Sequence, residues 1–140
     1  MYTSHNLRSG ARAYAHMGVE TQAMSASPHQ LIAMLFDGAK MSIGMARHHM
    51  STGDIQAKGA AISKAMGIVE NGLKASLDAK AAGTEGTTLV SNLSALYDYV
   101  VRRLLHANLR NDVGALDEAE QLLESLASAW REIEPGYSTR

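Results

Sequence analysis

From residue 27 to residue 133, apolar side chains recur every three or four positions in four successive stretches. That spacing places them on one face of an α-helix, not on alternating faces of a strand. The stretches predict helices over about 27–50, 54–79, 88–109 and 112–133, and the punctuation between them agrees. Ser27, Pro28 and Gln30 form a start signal, with a serine N-cap, a proline at the first helical position and a glutamine at the third. Gly53 is a natural helix end and Asp54 a natural cap for the next helix. The run AAGTEGTT at 81–88 is small and polar, which predicts a flexible break. Asn111 or Asp112 caps the last helix, and Pro135 with Gly136 follow its end. Residues 1–26 are polar and small with isolated apolar positions, which predicts an arm holding at most a short helix. Residues 134–140 read as a flexible tail. Four helices of about 20 residues, each roughly 30 Å long, with short connections predict an all-α fold: an antiparallel four-helix up-down bundle over 27–133.

The stripes differ in width. Helix four carries one stripe, Val113, Leu116, Leu123, Leu126, Trp130 and Ile133, opposed by Asp117, Glu118, Gln121, Glu124 and Arg131. Helix two is similar, with Ile55, Ile62, Met66, Val69, Leu73 and Leu77, and a flank of Ala61, Ala65, Gly72 and Ala75 that would admit a close neighbour. Helices one and three carry more. Helix one has Ile32, Phe36, Ala39, Ile43, Ala46 and Met50 as one stripe, then Leu31, Leu35 and Met45 as a second, widened by Met34 and Met41. Helix three has Leu89, Leu93, Leu96, Val100 and Leu104, with Val90, Tyr97, Val101 and Leu105 alongside. One inward face per helix does not account for both stripes. Three explanations fit: a deep core in an irregular bundle, a homodimer interface, or a groove for another protein's helix, where adaptable methionine suits varied contact. In the third case Tyr14, Met17 and Val19 of the arm would cover the groove when no partner is present.

Composition narrows the function classes. The chain has 140 residues, enough for one domain that buries roughly 68–70% of its unfolded surface without staples. Its 2 prolines, 8 methionines and 5% aromatic content favour helix over strand. There is no cysteine, which excludes disulfides and thiolate metal sites. A net charge of -1 from 13 basic and 14 acidic residues gives no global field for nucleic acid or anionic lipid. No apolar run reaches the ~18 residues of a membrane span, and no signal peptide opens the chain, so the expected compartment is the cytoplasm with no membrane insertion.

Convergent catalytic or metal chemistry is not visible. His48 and His49 are adjacent and point about 100° apart on a helix, so they do not share a metal simply. No glutamate is followed by a histidine three residues later, so the di-iron bundle pattern is missing. The six histidines read as solvated ends and surface positions. No cofactor and no metal are expected, and a bundle metalloprotein would declare itself by stoichiometric metal. Asp98 and Arg102 are spaced as an i,i+4 pair, read as a solvated ion pair on the outer face of helix three or as a recognition charge beside an apolar groove.

Several blocks resemble one family in order and register. VETQAMSASPHQLIAMLFDGA at 19–39, GDI at 53–55, LKASLD at 73–78, NLSALYDYVVRRLLHAN at 92–108 and DVGALDEAEQLLESLASAW at 112–130 are similar to the flagellar secretion chaperones. The resemblance covers about residues 11–132; the departure is AAGTEGTT, where the family often has a compact Gly-Gly-Glu turn. It implies a non-enzymatic cytoplasmic export chaperone that holds the C-terminal segment of flagellin, prevents premature polymerisation and delivers it to the flagellar type III export gate. Carried over by position, the family's N-terminal tyrosine matches Tyr14, in a segment that can pack over the client groove and be displaced. Expected client contacts are Leu31, Met34, Leu35, Met41 and Met45 on helix one, with Tyr97, Val101 and Leu105 on helix three. The expected solution state is a monomer or weak homodimer. A self-associating structural bundle is the alternative.

Overall fold

The computed structural model describes residues 26–80 and 83–133. The expected arm, with Tyr14, Met17 and Val19, and the expected tail lie outside the described residues. Helix α1 runs from Pro28 to Thr52. The Ser27 side chain accepts from the Gln30 amide at 3.1 Å, and the Gln30 side-chain oxygen accepts from the Ser27 amide at 2.9 Å. Two otherwise orphaned donors are thereby satisfied reciprocally. Gly53, at φ 80°, ends the helix in the left-handed region, and the Asp54 amide reaches back to the His49 carbonyl at 3.0 Å. Asp54 then caps α2, Ile55–Gly67, by accepting from the Ala57 amide.

The second limb is not one continuous α-helix. After α2 the backbone is π-helical from Ile68 to Lys74 and returns to α-helix as α3, Ala75–Lys80. A π turn carries i→i+5 bonds and winds more slowly than an α-helix. On an unbroken α-helical wheel Leu77 would fall about 120° from Ala65. The slower winding turns it back, and Leu77 packs against the core. Within the π segment, Gly72 lies beneath Leu35: a Cβ there would meet both Leu35 δ-methyls at 3.1 Å. Ser76 donates to the Gly72 carbonyl at 2.7 Å.

Helix α4 spans Gly83–Arg110. Residues 83–88 of the expected break are therefore helical. Gly and Thr are poor helix formers, at about 1 kcal/mol or less per residue. Adding turns to a helix already nucleated by packing is cheap by comparison. Asn111, at φ 51°, makes the next turn, and Asp112 caps α5, Val113–Glu132.

The four limbs form a ring in which α1 packs on α2 and on α5, and α4 packs on α5 and on the second limb. Helices α1 and α4 are diagonal partners that meet across the interior, with Phe36 and Tyr97 rings 6.5 Å apart. Ile43, Ile62, Val69, Leu73, Val100, Leu104, Leu116 and Leu123 are fully buried between them. This is an all-helical bundle of alternating direction. Charges close its seams from outside: Lys40 pairs with Glu124, Arg47 with Asp117 and Glu120, and Arg103 with Glu118. Tyr99 also donates to Glu118, which holds the Glu118 carboxyl below its ordinary range. The expected Asp98–Arg102 pair is replaced: Asp98 accepts from Lys74 of the second limb at 2.7 Å, and the Arg102 guanidinium lies 5.8 Å from the Tyr99 ring centre. A cross-helix lysine reaches the carboxylate that periodicity assigned to a partner on the same helix. Lys58 is buried at 4% exposure, its ammonium donating to the Asn108 carbonyl at 2.9 Å and to the Asn111 side chain. It ties the start of α2 to the carbonyl end of α4, where a cation is favoured.

Candidate functional site

An apolar groove opens at the end of the bundle where α1 starts and α5 finishes. It encloses about 400 Å³. Ile32 and Phe36 of α1, Leu73 and Leu77 of the second limb, Leu93 and Tyr97 of α4, and Leu126 and Trp130 of α5 supply its walls, with Leu89 and Ile133 also lining it. Ser76, Tyr97 and Trp130 are the wall residues that carry a polar side-chain group. Each helix contributes because chain direction alternates, so the first turns of α1 and α4 meet the last turns of the second limb and α5.

Trp130 and His29 clasp one side of this end. Their rings stack at 4.6 Å and 11°, the Trp130 indole donates to the His29 carbonyl at 3.0 Å, and His29 Nε2 lies 2.8 Å from the Trp130 carbonyl. A carbonyl can only accept, so Nε2 carries the hydrogen in this bond. His29 is therefore a half-buried bridge and not the solvated end position that its place near a helix start predicts. Partner choice across helices is a non-local fact.

The expected contact residues separate into three groups. Met41 and Met45 are 67% and 52% exposed on the outer side of α1, opposite the Ile43 face, and Met34 shares that side half-buried. Leu31 is half-buried. Leu35 is a correction: at 3% exposure, pressed onto Gly72, it belongs to the core. The glycine on the facing limb admits it, and a single-helix wheel does not contain that information. On α4, Tyr97 is 5% exposed and lines the groove. Val101 packs against the core from its edge, and Leu105 is exposed. The methionine side of α1 and the Val101–Leu105 edge of α4 are not brought together, because α1 and α4 are diagonal in the ring.

Reading single helices missed most of the groove wall. Periodicity alone places Ile32, Phe36, Leu93, Leu126 and Trp130 on ordinary inward stripes. The available signal is positional: large side chains cluster at helix ends that coincide in an antiparallel bundle, and the small Ser76 side chain leaves space between them.

Burial of Tyr97 raises its phenol from the ordinary value near 10 to about 12. The folded state therefore holds this proton more tightly than the unfolded chain. The effect on stability is absent below about pH 10, and between 10 and 12 stability falls by about 1.4 kcal/mol per pH unit from this group. Chemical denaturation across that range is expected to show the decline, and Tyr97→Phe is expected to flatten it. An unchanged slope in the variant would place the alkaline loss elsewhere.

Among the described residues, no three His, Asp or Glu side chains converge as a metal site. No described helix is long and apolar enough to cross a membrane. The arrangement offers apolar cover on a helical frame.

The chain matches the family model described as flagellar protein FliS over residues 10–137. It is 53% identical over 138 residues to a flagellar secretion chaperone FliS of Salmonella typhimurium, covering 99% of this chain and 96% of the relative. It is 50% identical over 123 residues to one from Escherichia coli, covering 88% of each. It is 31% identical over 120 residues to one from Bacillus subtilis, covering 86% of this chain and 82% of the relative. A helical bundle with an apolar end groove and these matches along nearly its whole length belongs to the FliS family of flagellar secretion chaperones.

Proposed function

We propose that this protein is a cytoplasmic export chaperone that holds the disordered C-terminal segment of flagellin, keeps it from polymerising early, and presents it as a complex to the flagellar export gate. One observation carries the reading: Met41 and Met45 lie open on α1 while an apolar groove of about 400 Å³ opens at the bundle end. Exposed apolar area of this kind on a folded frame suits an amphipathic segment that folds as it binds. Met34, Met41 and Met45, with Leu31 at their edge, take one part of the client; Tyr97, through the groove, and Val101 with Leu105 take others. Ordering the client consumes part of the contact energy, so a long, divided contact is favoured over a compact one. In the empty protein the arm residues Tyr14, Met17 and Val19 cover the same surface and leave when the client arrives.

Titrating a flagellin C-terminal segment into the full chain, followed by calorimetry and circular dichroism, tests this directly. Saturable binding with a gain of helix is expected, and silence at about 50 micromolar peptide would overturn the reading. Deleting residues 1–18 is expected to leave a folded bundle with equal or tighter binding; weaker binding would make the arm a client contact. Size measurement with and without the segment separates this reading from a self-associating bundle. A client surface gives up any self-contact when the segment is added.

A further inference from the structure

Arg102 and Arg110 form no ion pair with any described carboxylate, whereas Lys40, Arg47, Lys74, Arg103 and Arg131 are all engaged with acidic groups. Both arginines are exposed on the outer side of α4. Between them on the same side lie Leu105 and Leu109, 45% and 71% exposed, and His106, which faces Asp112 at 3.2 Å. The positions i, i+3, i+7 and i+8 fall on one helix face, and the two arginines are about 12 Å apart along the axis. Ile55, 70% exposed, stands one turn before Gly59, which meets the Asn108 side chain, so it extends the apolar area at the same end of the bundle. Lys58 holds this corner rigid through Asn108 and Asn111.

We infer that this strip on α4 is the docking site for an acidic amphipathic helix of the client, whose apolar side covers Leu105 and Leu109 and whose carboxylates, about two turns apart, meet Arg102 and Arg110. The inference rests on the flagellin-holding reading above and adds the chemical class of the part that binds here. Charge complementarity selects this occupant. Two arginines are too few to track a phosphate backbone, and a basic cluster for anionic lipid takes roughly four to eight charges. A planar guanidinium beside exposed leucines is suited to a carboxylate on a neighbouring helix. The strip follows the groove along α4: Leu105 is about 12 Å from Tyr97 and about 24 Å from Leu89 along the axis, a span that a long, divided client crosses.

Binding of a flagellin C-terminal segment to the full chain at several salt concentrations tests it, together with the Arg102→Glu/Arg110→Glu and Arg102→Gln/Arg110→Gln variants. The strip is exposed, so both variants are expected to stay folded, the neutral one melting close to wild type and the charge-reversed one slightly lower, because Arg110 stands in the last turn of α4. Charge reversal is expected to weaken binding about tenfold at low salt, the neutral variant less, and the difference is expected to shrink as salt screens the pairs. Replacing the segment's carboxylates by amides is expected to weaken wild-type binding and to have little further effect in the neutral variant. A client that binds wild type and both variants equally at all salt concentrations overturns this assignment and leaves the client reading standing. A wild-type chain that binds no client at any salt overturns both. Self-association abolished by the same variants assigns the strip to a second copy and likewise overturns it.

Discussion

Gly72→Val is expected to destabilise the bundle by about 3 kcal/mol, at the upper end of ordinary overpacking costs. The added Cβ alone would stand 3.1 Å from both Leu35 methyls, and the valine methyls would reach further into the same space. Leu35 is 3% exposed and has no open side to move towards. Removing glycine from a helix normally gains up to about 1 kcal/mol, so a net loss here measures the contact rather than the backbone. The double-mutant cycle with Leu35→Ala makes the argument sharp, since the truncated side chain vacates the volume that valine needs. Part of the valine penalty is then expected to disappear, giving a favourable coupling of about 1 kcal/mol or more in urea denaturation. Strict additivity would show that the strain arises in the π segment itself and not between the two limbs.

Met41→Glu/Met45→Glu is expected to weaken binding of the flagellin segment by about tenfold or more while shifting stability by within about 0.5 kcal/mol. Both side chains are more than half exposed, so the free protein loses little packing when they change. In the complex, each carboxylate would have to be desolvated against an apolar client surface or hold the client away. The decisive comparison is with Ile43→Val on the opposite, fully buried side of α1. That change is expected to lower stability by roughly 1 kcal/mol and leave affinity alone. If the methionine variant bound as wild type, the outer side of α1 would not be a client surface.

Local chemistry explains why the helix ends were legible. Ser27 with Gln30, Gly53 with Asp54, and Asp112 each make their capping bonds within three to five residues of chain. The surplus of apolar positions on helices one and three was legible for the same reason, since a helical wheel depends only on spacing. Its division was not. Leu35 and Met45 stand in one predicted stripe, yet one is sealed and the other open. The limb facing Leu35 presents a glycine at that height, and nothing comparable stands opposite Met45.

The sequence by itself determined an all-helical chain, the caps at Ser27, Asp54 and Asp112 and the stop at Gly53, and an apolar surplus that one inward face does not use. These follow from propensity, caps and periodicity, all short-range properties. Tertiary structure decided the rest. It set which limbs are neighbours, it turned Leu77 inward through a π segment, and it joined His29 to Trp130 across 101 residues of chain. It also left an unfilled end between four helices. Those outcomes depend on how side chains from distant segments fill a shared volume, and the spacing of residues along one helix carries no information about what stands on the helix opposite.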